Sequence, residues 1–125
     1  MVKRRALLVE ENQDDFKLVK FLLENDGYTV LDAHTGQQAL DIIHQELPDL
    51  ILMALSQQDS DAWAAARQLK SDVETASIPL LALINVDNPD LPKRALDSGF
   101  LGIISKPINM IAFKANLLGL LQGGK

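Results

Sequence analysis

The apolar positions of this chain fall into five short runs separated by amphipathic stretches. Ala6-Leu7-Leu8-Val9 is the first, and it gives way to Glu10-Glu11. Tyr28 to Ala33, Leu50 to Leu55, Ile78 to Ile84 and Phe100 to Ser105 are the others. Each is short and bounded by turn residues, so each predicts a strand. The third run, Leu50 to Leu55, has no polar face. That predicts a central parallel strand covered on both sides. Pro79 is tolerable only near the start of the fourth strand.

The intervening stretches carry helix signals. Asn12 is a good N-cap, and Asp14 and Asp15 stand in the first turn, where the helix dipole favours carboxylates. Phe16, Val19, Leu22 and Leu23 then share one face, and Asn25-Asp26-Gly27 ends the helix. Thr35-Gly36-Gln37-Gln38 has capping-box spacing, and Ala39, Leu40, Ile43 and Leu47 behind it form a buried stripe. Ser60 to Lys70 predicts a third helix with Ser60 as its cap. Asn85 to Pro92 reads as a polar loop before a short helix that ends at Ser98-Gly99. Asn109 caps a last helix in which Met110, Phe113, Leu117 and Leu120 share a face. Gly123-Gly124-Lys125 reads as a frayed end or a linker stub.

Five strand–helix alternations predict an α/β fold, a flavodoxin-like, doubly wound, five-stranded parallel sheet in order 2-1-3-4-5 with helices on both faces. One domain over residues 1–125, with its core at about 5–121, is expected. In such sheets function gathers at the carboxyl ends of the strands. Strands one and three are neighbours at the switch point, so Glu10, Glu11 and Ala54 meet there, with Lys106 from the end of strand five.

Composition narrows the class. The 125 residues carry a net charge of −5, which disfavours nonspecific binding to nucleic acid or anionic membrane. Lys3-Arg4-Arg5 is the one basic run and reads as a solvated lead-in. With no cysteine there is no disulfide, thiol nucleophile or thiolate metal site. Nothing resembles a signal peptide, and no apolar run approaches the ~20 residues that span a bilayer. A cytoplasmic protein is expected.

An acidic pair after strand one, Pro48-Asp49 before an apolar strand three, Ile78-Pro79 leading strand four and Lys106-Pro107 after strand five resemble the receiver domain of bacterial response regulators. The resemblance runs from about Arg5 to Leu121. It implies an acidic pair that binds Mg²⁺ and an aspartate ending strand three that accepts a phosphoryl group. It implies a Ser or Thr ending strand four and a lysine that contact that group, and an aromatic switch residue in strand five. Glu10 and Glu11 occupy the acidic pair, where aspartates are more usual. Ala54 occupies the acceptor position, Ile84 the Ser/Thr position and Ile103 the aromatic position. Lys106 alone matches fully.

Ala54 has no nucleophile, and acyl-phosphate chemistry needs a carboxylate. Asp49 begins the same strand, roughly 16 Å away at ~3.3 Å per residue. Asp59 and Asp61 lie in the following loop without fixed geometry beside a metal. Glu10 and Glu11 are weak Mg²⁺ candidates, since the third carboxylate is missing. The favoured reading is no bound metal and one glutamate paired with Lys106. His34 and His44 lack partners at catalytic spacing, and Trp63 reads as a packing anchor.

The expectation is a pseudo-receiver in two-component signalling: not an enzyme, without cofactor, acting through protein contacts independently of phosphorylation. Its partners would be signalling proteins such as a histidine kinase or an output domain. Self-association or partner binding is expected through the last helix-strand-helix face, at Leu101, Ile103 and Met110. Two alternatives stand beside it. A receiver phosphorylated at an unconventional residue would form a phosphate adduct. A flavodoxin-like cofactor carrier would need a phosphate-cradling loop, where this chain has Glu10-Glu11-Asn12-Gln13-Asp14-Asp15.

Overall fold

The computed structural model describes residues 4–85, 87 and 89–123. Its elements run β1 (Arg5–Val9), α1 (Gln13–Asn25), β2 (Thr29–Ala33), α2 (Gly36–Gln45), β3 (Leu50–Leu55), α3 (Ser60–Ser71), β4 (Leu80–Asn85), α4 (Asp90–Asp97), β5 (Gly102–Lys106) and α5 (Phe113–Gly123). The five strands are parallel in the order β2-β1-β3-β4-β5, as expected. Lys3, Val86, Asn88, Gly124 and Lys125, in the lead-in, the loop after β4 and the expected frayed end, lie outside the described residues.

The pleat sends alternate strand residues to opposite faces. Leu7, Val9, Ile51, Met53, Leu55, Ala82 and Ile84 pack with α2, α3 and α4. Ala6, Leu8, Leu50, Leu52, Leu81, Leu83 and Ile104 pack with α1 and α5. This explains the absence of a polar face in β3: both sides are covered.

Local signals account for most element ends. The Asn12 side chain accepts a hydrogen bond from the Asp15 N–H at 3.0 Å, and Gly27 takes φ +97° after α1. The Thr35 hydroxyl oxygen accepts from the Gln38 N–H, while the Gln38 side chain accepts from the His34 N–H. The return bond of the capping box is thus shifted by one residue.

Four expectations are corrected. Leu47 is half exposed: α2 stops at Gln45, Glu46 turns to φ −138° and ψ 110°, and Leu47 leaves the buried stripe. Asp59, not Ser60, caps α3, accepting from the Ala62 N–H at 3.1 Å. Helix α4 begins at Asp90 inside the expected loop. Pro92 falls in its first turn, where an N–H has no intrahelical acceptor to lose. The Asn109 side chain accepts from the N–H groups of Ile111 and Ala112, forming a separate turn before α5. Met110 is therefore out of phase with Phe113 and Leu117 and is 54% exposed.

Candidate functional site

The carboxyl ends of β1, β3 and β5 enclose a cavity of about 100 Å³. Glu10, Glu11, Ala54 and Lys106 all line it, so the residues singled out from the sequence converge. His34, Thr35, Gly36 and Asp59 complete its rim.

Glu10 follows directly from β1 and is buried, with its N–H held by the Ala33 carbonyl at 3.0 Å. Both oxygens of its carboxylate are engaged. Oε1 accepts from the Lys106 ammonium at 2.6 Å, and Oε2 accepts from the Asn12 N–H at 3.1 Å. Lys106 also meets the Asp15 carboxylate at 3.0 Å. Burial pushes the Lys106 ammonium down from its ordinary pKa. Hydrogen bonds and charge from Glu10 and Asp15 outweigh that and hold it above the ordinary value. The lysine is therefore a cation with two carboxylates already on it.

Asp15 is the site residue that sequence reading missed. It read as a dipole-favouring acid in the first turn of α1. The available signal was its place on the turn before Phe16 and Val19, whose side chains are buried at the sheet. That places it on the edge of the core-facing side.

The other acids are placed differently: Glu11 and Asp59 line the cavity, whereas Asp49 and Asp61 do not. Glu11 is exposed. Asp49 lies at the opposite end of the sheet, where its carboxylate accepts from the Arg5 N–H at 2.8 Å. Asp59 lines the cavity while capping α3. Asp61 accepts from the Gly36 N–H at 2.6 Å, tying α3 to the start of α2. A Cβ on Gly36 would stand 2.6 Å from the Asp61 carbonyl oxygen, so only glycine permits that approach. The Ala54 side chain offers no oxygen, and both oxygens of Glu10 are in use. Among the described residues no group of three or more His, Asp or Glu side chains is placed to hold a metal ion.

Ile84 is fully buried at the end of β4. Ile103 is half-buried and borders a shallow groove between β5 and α5 with Ser105, Asn116 and Leu120. Leu101 before β5 and Met110 after it are accessible, and Ile111, next to Met110 in the chain, is 96% exposed. Nothing in the local pattern around Ile111 marks it for exposure.

His34 Nδ1 lies 3.0 Å from the Glu10 carbonyl oxygen, and its ring sits 4.9 Å from that of Phe16. His44 Nδ1 lies 2.8 Å from the Leu40 carbonyl oxygen, on α2. Trp63 is a buried anchor: its indole N–H donates to the Ser56 carbonyl at 2.8 Å and steadies the turn after β3. No helix among the described residues is long and apolar enough to cross a membrane.

Comparison with known proteins agrees with this architecture. The family model for the response regulator receiver domain matches residues 6–117. The polar-differentiation response regulator DivK of Brucella ovis is 31% identical over 110 residues, covering 88% of this chain and 89% of the relative. A putative response regulator from Chloroflexus aurantiacus superposes with a TM-score of 0.88 at 19% identity, over 97% of this chain and 99% of that one. The signal receiver domain of a histidine kinase from Syntrophus aciditrophicus gives 0.82 at 27% identity, over 96% and 91%.

Proposed function

Because the chain belongs to the response regulator receiver family of two-component signalling, we propose that it is a pseudo-receiver, which signals through protein contacts without aspartyl phosphorylation. The carrying observation is Ala54 at the acceptor position, beside a lysine already neutralised from within. Lys106 meets Glu10 at 2.6 Å and Asp15 at 3.0 Å. In the family this lysine awaits the phosphoryl group. Here two carboxylates already hold it, and position 54 supplies no nucleophile.

The same geometry supports a protein that is not an enzyme and holds no Mg²⁺. The remaining switch positions support it as well. A fully buried Ile84 has no hydroxyl to draw toward a phosphoryl oxygen, and Ile103 has no aromatic ring to follow it. With no trigger, a contact surface would have to be permanently presented. The face formed by α4, β5 and the turn before α5 suits that role, with Leu101, Met110 and Ile111 exposed and Ile103 half-buried. The occupant would be a signalling protein, an output domain, a histidine kinase or a second copy of this chain, in the cytoplasm.

The test is intact mass after incubation with acetyl phosphate and Mg²⁺. The expected outcome is no adduct. A stable phosphate adduct would overturn the reading and direct attention to Asp59, the carboxylate on the cavity rim.

A further inference from the structure

Helices α3 and α4 cover the same sheet face and leave a groove between them of about 510 Å³. Arg67, Lys70 and Ser71 of α3 line one wall, and Arg94, Asp97 and Ser98 the other. On a protein of net charge −5 this is a concentration of positive charge.

Among the described residues the cations here differ from most others. Arg5, Lys20, Lys93, Lys106 and Lys114 each meet a carboxylate. Arg67, Lys70 and Arg94 form no ion pair among the described residues, and the one acid in the groove, Asp97, is taken by Lys93 at 3.0 Å. Two of the three are nonetheless held in place by neutral partners. Arg94 stacks over the Trp63 ring at 3.9 Å and donates weakly to the Gln57 carbonyl at 3.4 Å. Lys70 donates to the Ala76 carbonyl at 3.0 Å, and its stem crosses Gly99, where a Cβ would stand 2.8 Å from Lys70 Cγ. These contacts position the charges without neutralising them. Burial, with only a carbonyl in return, pushes the Lys70 ammonium below its ordinary pKa, a displacement that an anion would relieve.

We propose that the α3–α4 groove binds a phosphate-bearing small molecule, held by Arg67, Lys70 and Arg94. Guanidinium forks match phosphate oxygens two at a time, and a lysine adds a point charge. Three uncompensated positive charges suit a group carrying two or more negative charges better than a lone carboxylate. Ser98 adds a hydroxyl on one wall, while the Ser71 hydroxyl already donates to the Gln68 carbonyl at 3.0 Å. The volume falls within the ~300–1,000 Å³ usual for small-molecule sites. The site is separate from the Lys106 cavity, so the phosphorylation-free reading stands or falls without it.

The experiment is a titration of ¹⁵N-labelled protein with pyrophosphate at low ionic strength, where surface charge is least screened. Citrate and sodium chloride serve as parallel arms. Saturable shifts are expected at the Trp63 indole N–H and the amides of residues 67–71 and 94–98. Arg67→Glu, at an exposed position, should weaken them at least tenfold with the remaining spectrum unchanged. Arg94→Gln should weaken them too and move the indole resonance in the free protein. Citrate binding as tightly as pyrophosphate would show that the groove reads carboxylates, and would overturn the assignment. Shifts that follow sodium chloride, fail to saturate or survive Arg67→Glu would also overturn it.

Discussion

Lys106→Met removes the one cation from the described residues lining the cavity and leaves Glu10 behind with its side chain 3% exposed. Removing one partner of a buried pair typically costs about 3–5 kcal/mol, because a buried charge is left uncompensated. Two features lower that figure here. Lys106 keeps 18% and Asp15 33% of side-chain exposure, so water screens part of the field. The Asn12 N–H also still holds one Glu10 oxygen. A single pair at 4 Å is worth about 4 kcal/mol at an effective dielectric of 20, before the ammonium's desolvation is subtracted. A loss of about 2–3 kcal/mol is therefore expected, lowering the thermal midpoint of a domain this size by roughly 10 °C. Urea unfolding of the parent, Lys106→Met, Glu10→Gln and the double variant measures it. A coupling of at least about 1 kcal/mol is expected between the two positions. The pH dependence adds a second check. A lysine whose folded pKa is raised contributes stability that is fully present below its unfolded value and lost as pH rises through the folded one. The gap between parent and Lys106→Met should thus hold steady from neutral pH to about 10 and close only above the ordinary lysine value. A gap below about 0.5 kcal/mol, additive single variants or closure below about pH 9 would refute the assignment of Lys106 as an internal counter-ion.

Ala54→Asp should restore a carboxylate without restoring a switch. Mg²⁺ should raise the variant's thermal midpoint while leaving the parent's unchanged, because the added acid relieves its repulsion from Glu10 and Asp15 only with a metal present. Amide exchange in α4, β5 and α5 should not respond to beryllofluoride, since Ile84 and Ile103 cannot carry the movement; clear protection there would show that only the trigger had been lost. Ile103→Asp should weaken self-association or partner capture by at least tenfold, because a charge would be buried at the contact, with an unchanged far-UV spectrum. Unaltered sedimentation and capture would exclude this face as the interface.

The strand order and both sheet faces were legible because their signals are local or periodic. Alternation of apolar runs with amphipathic stretches needs only neighbouring residues, and the absence of a polar face in Leu50 to Leu55 already implied cover on both sides. The caps at Asn12 and Thr35 act within four residues and read directly. Boundaries failed where a competing side chain decided. Asp59 took the cap from Ser60, and the Asn109 turn put Met110 out of phase with the helix behind it. The convergence of Glu10, Glu11, Ala54 and Lys106 followed from topology alone, since parallel strands deliver their carboxyl ends to one edge. Which acid meets the lysine did not follow. Glu10 and Lys106 are 96 positions apart, and Asp15 joins them only because α1 starts beside the end of β5. The α3–α4 groove is a stronger case. Arg67 and Lys70 share a helix face that sequence can recognise, but Arg94 comes from another element. Only packing decides that it rests on Trp63 with no carboxylate to meet it. Pattern along a chain records what each segment must bury, while charge pairing depends on which segments end up adjacent, and that is settled by the closed fold.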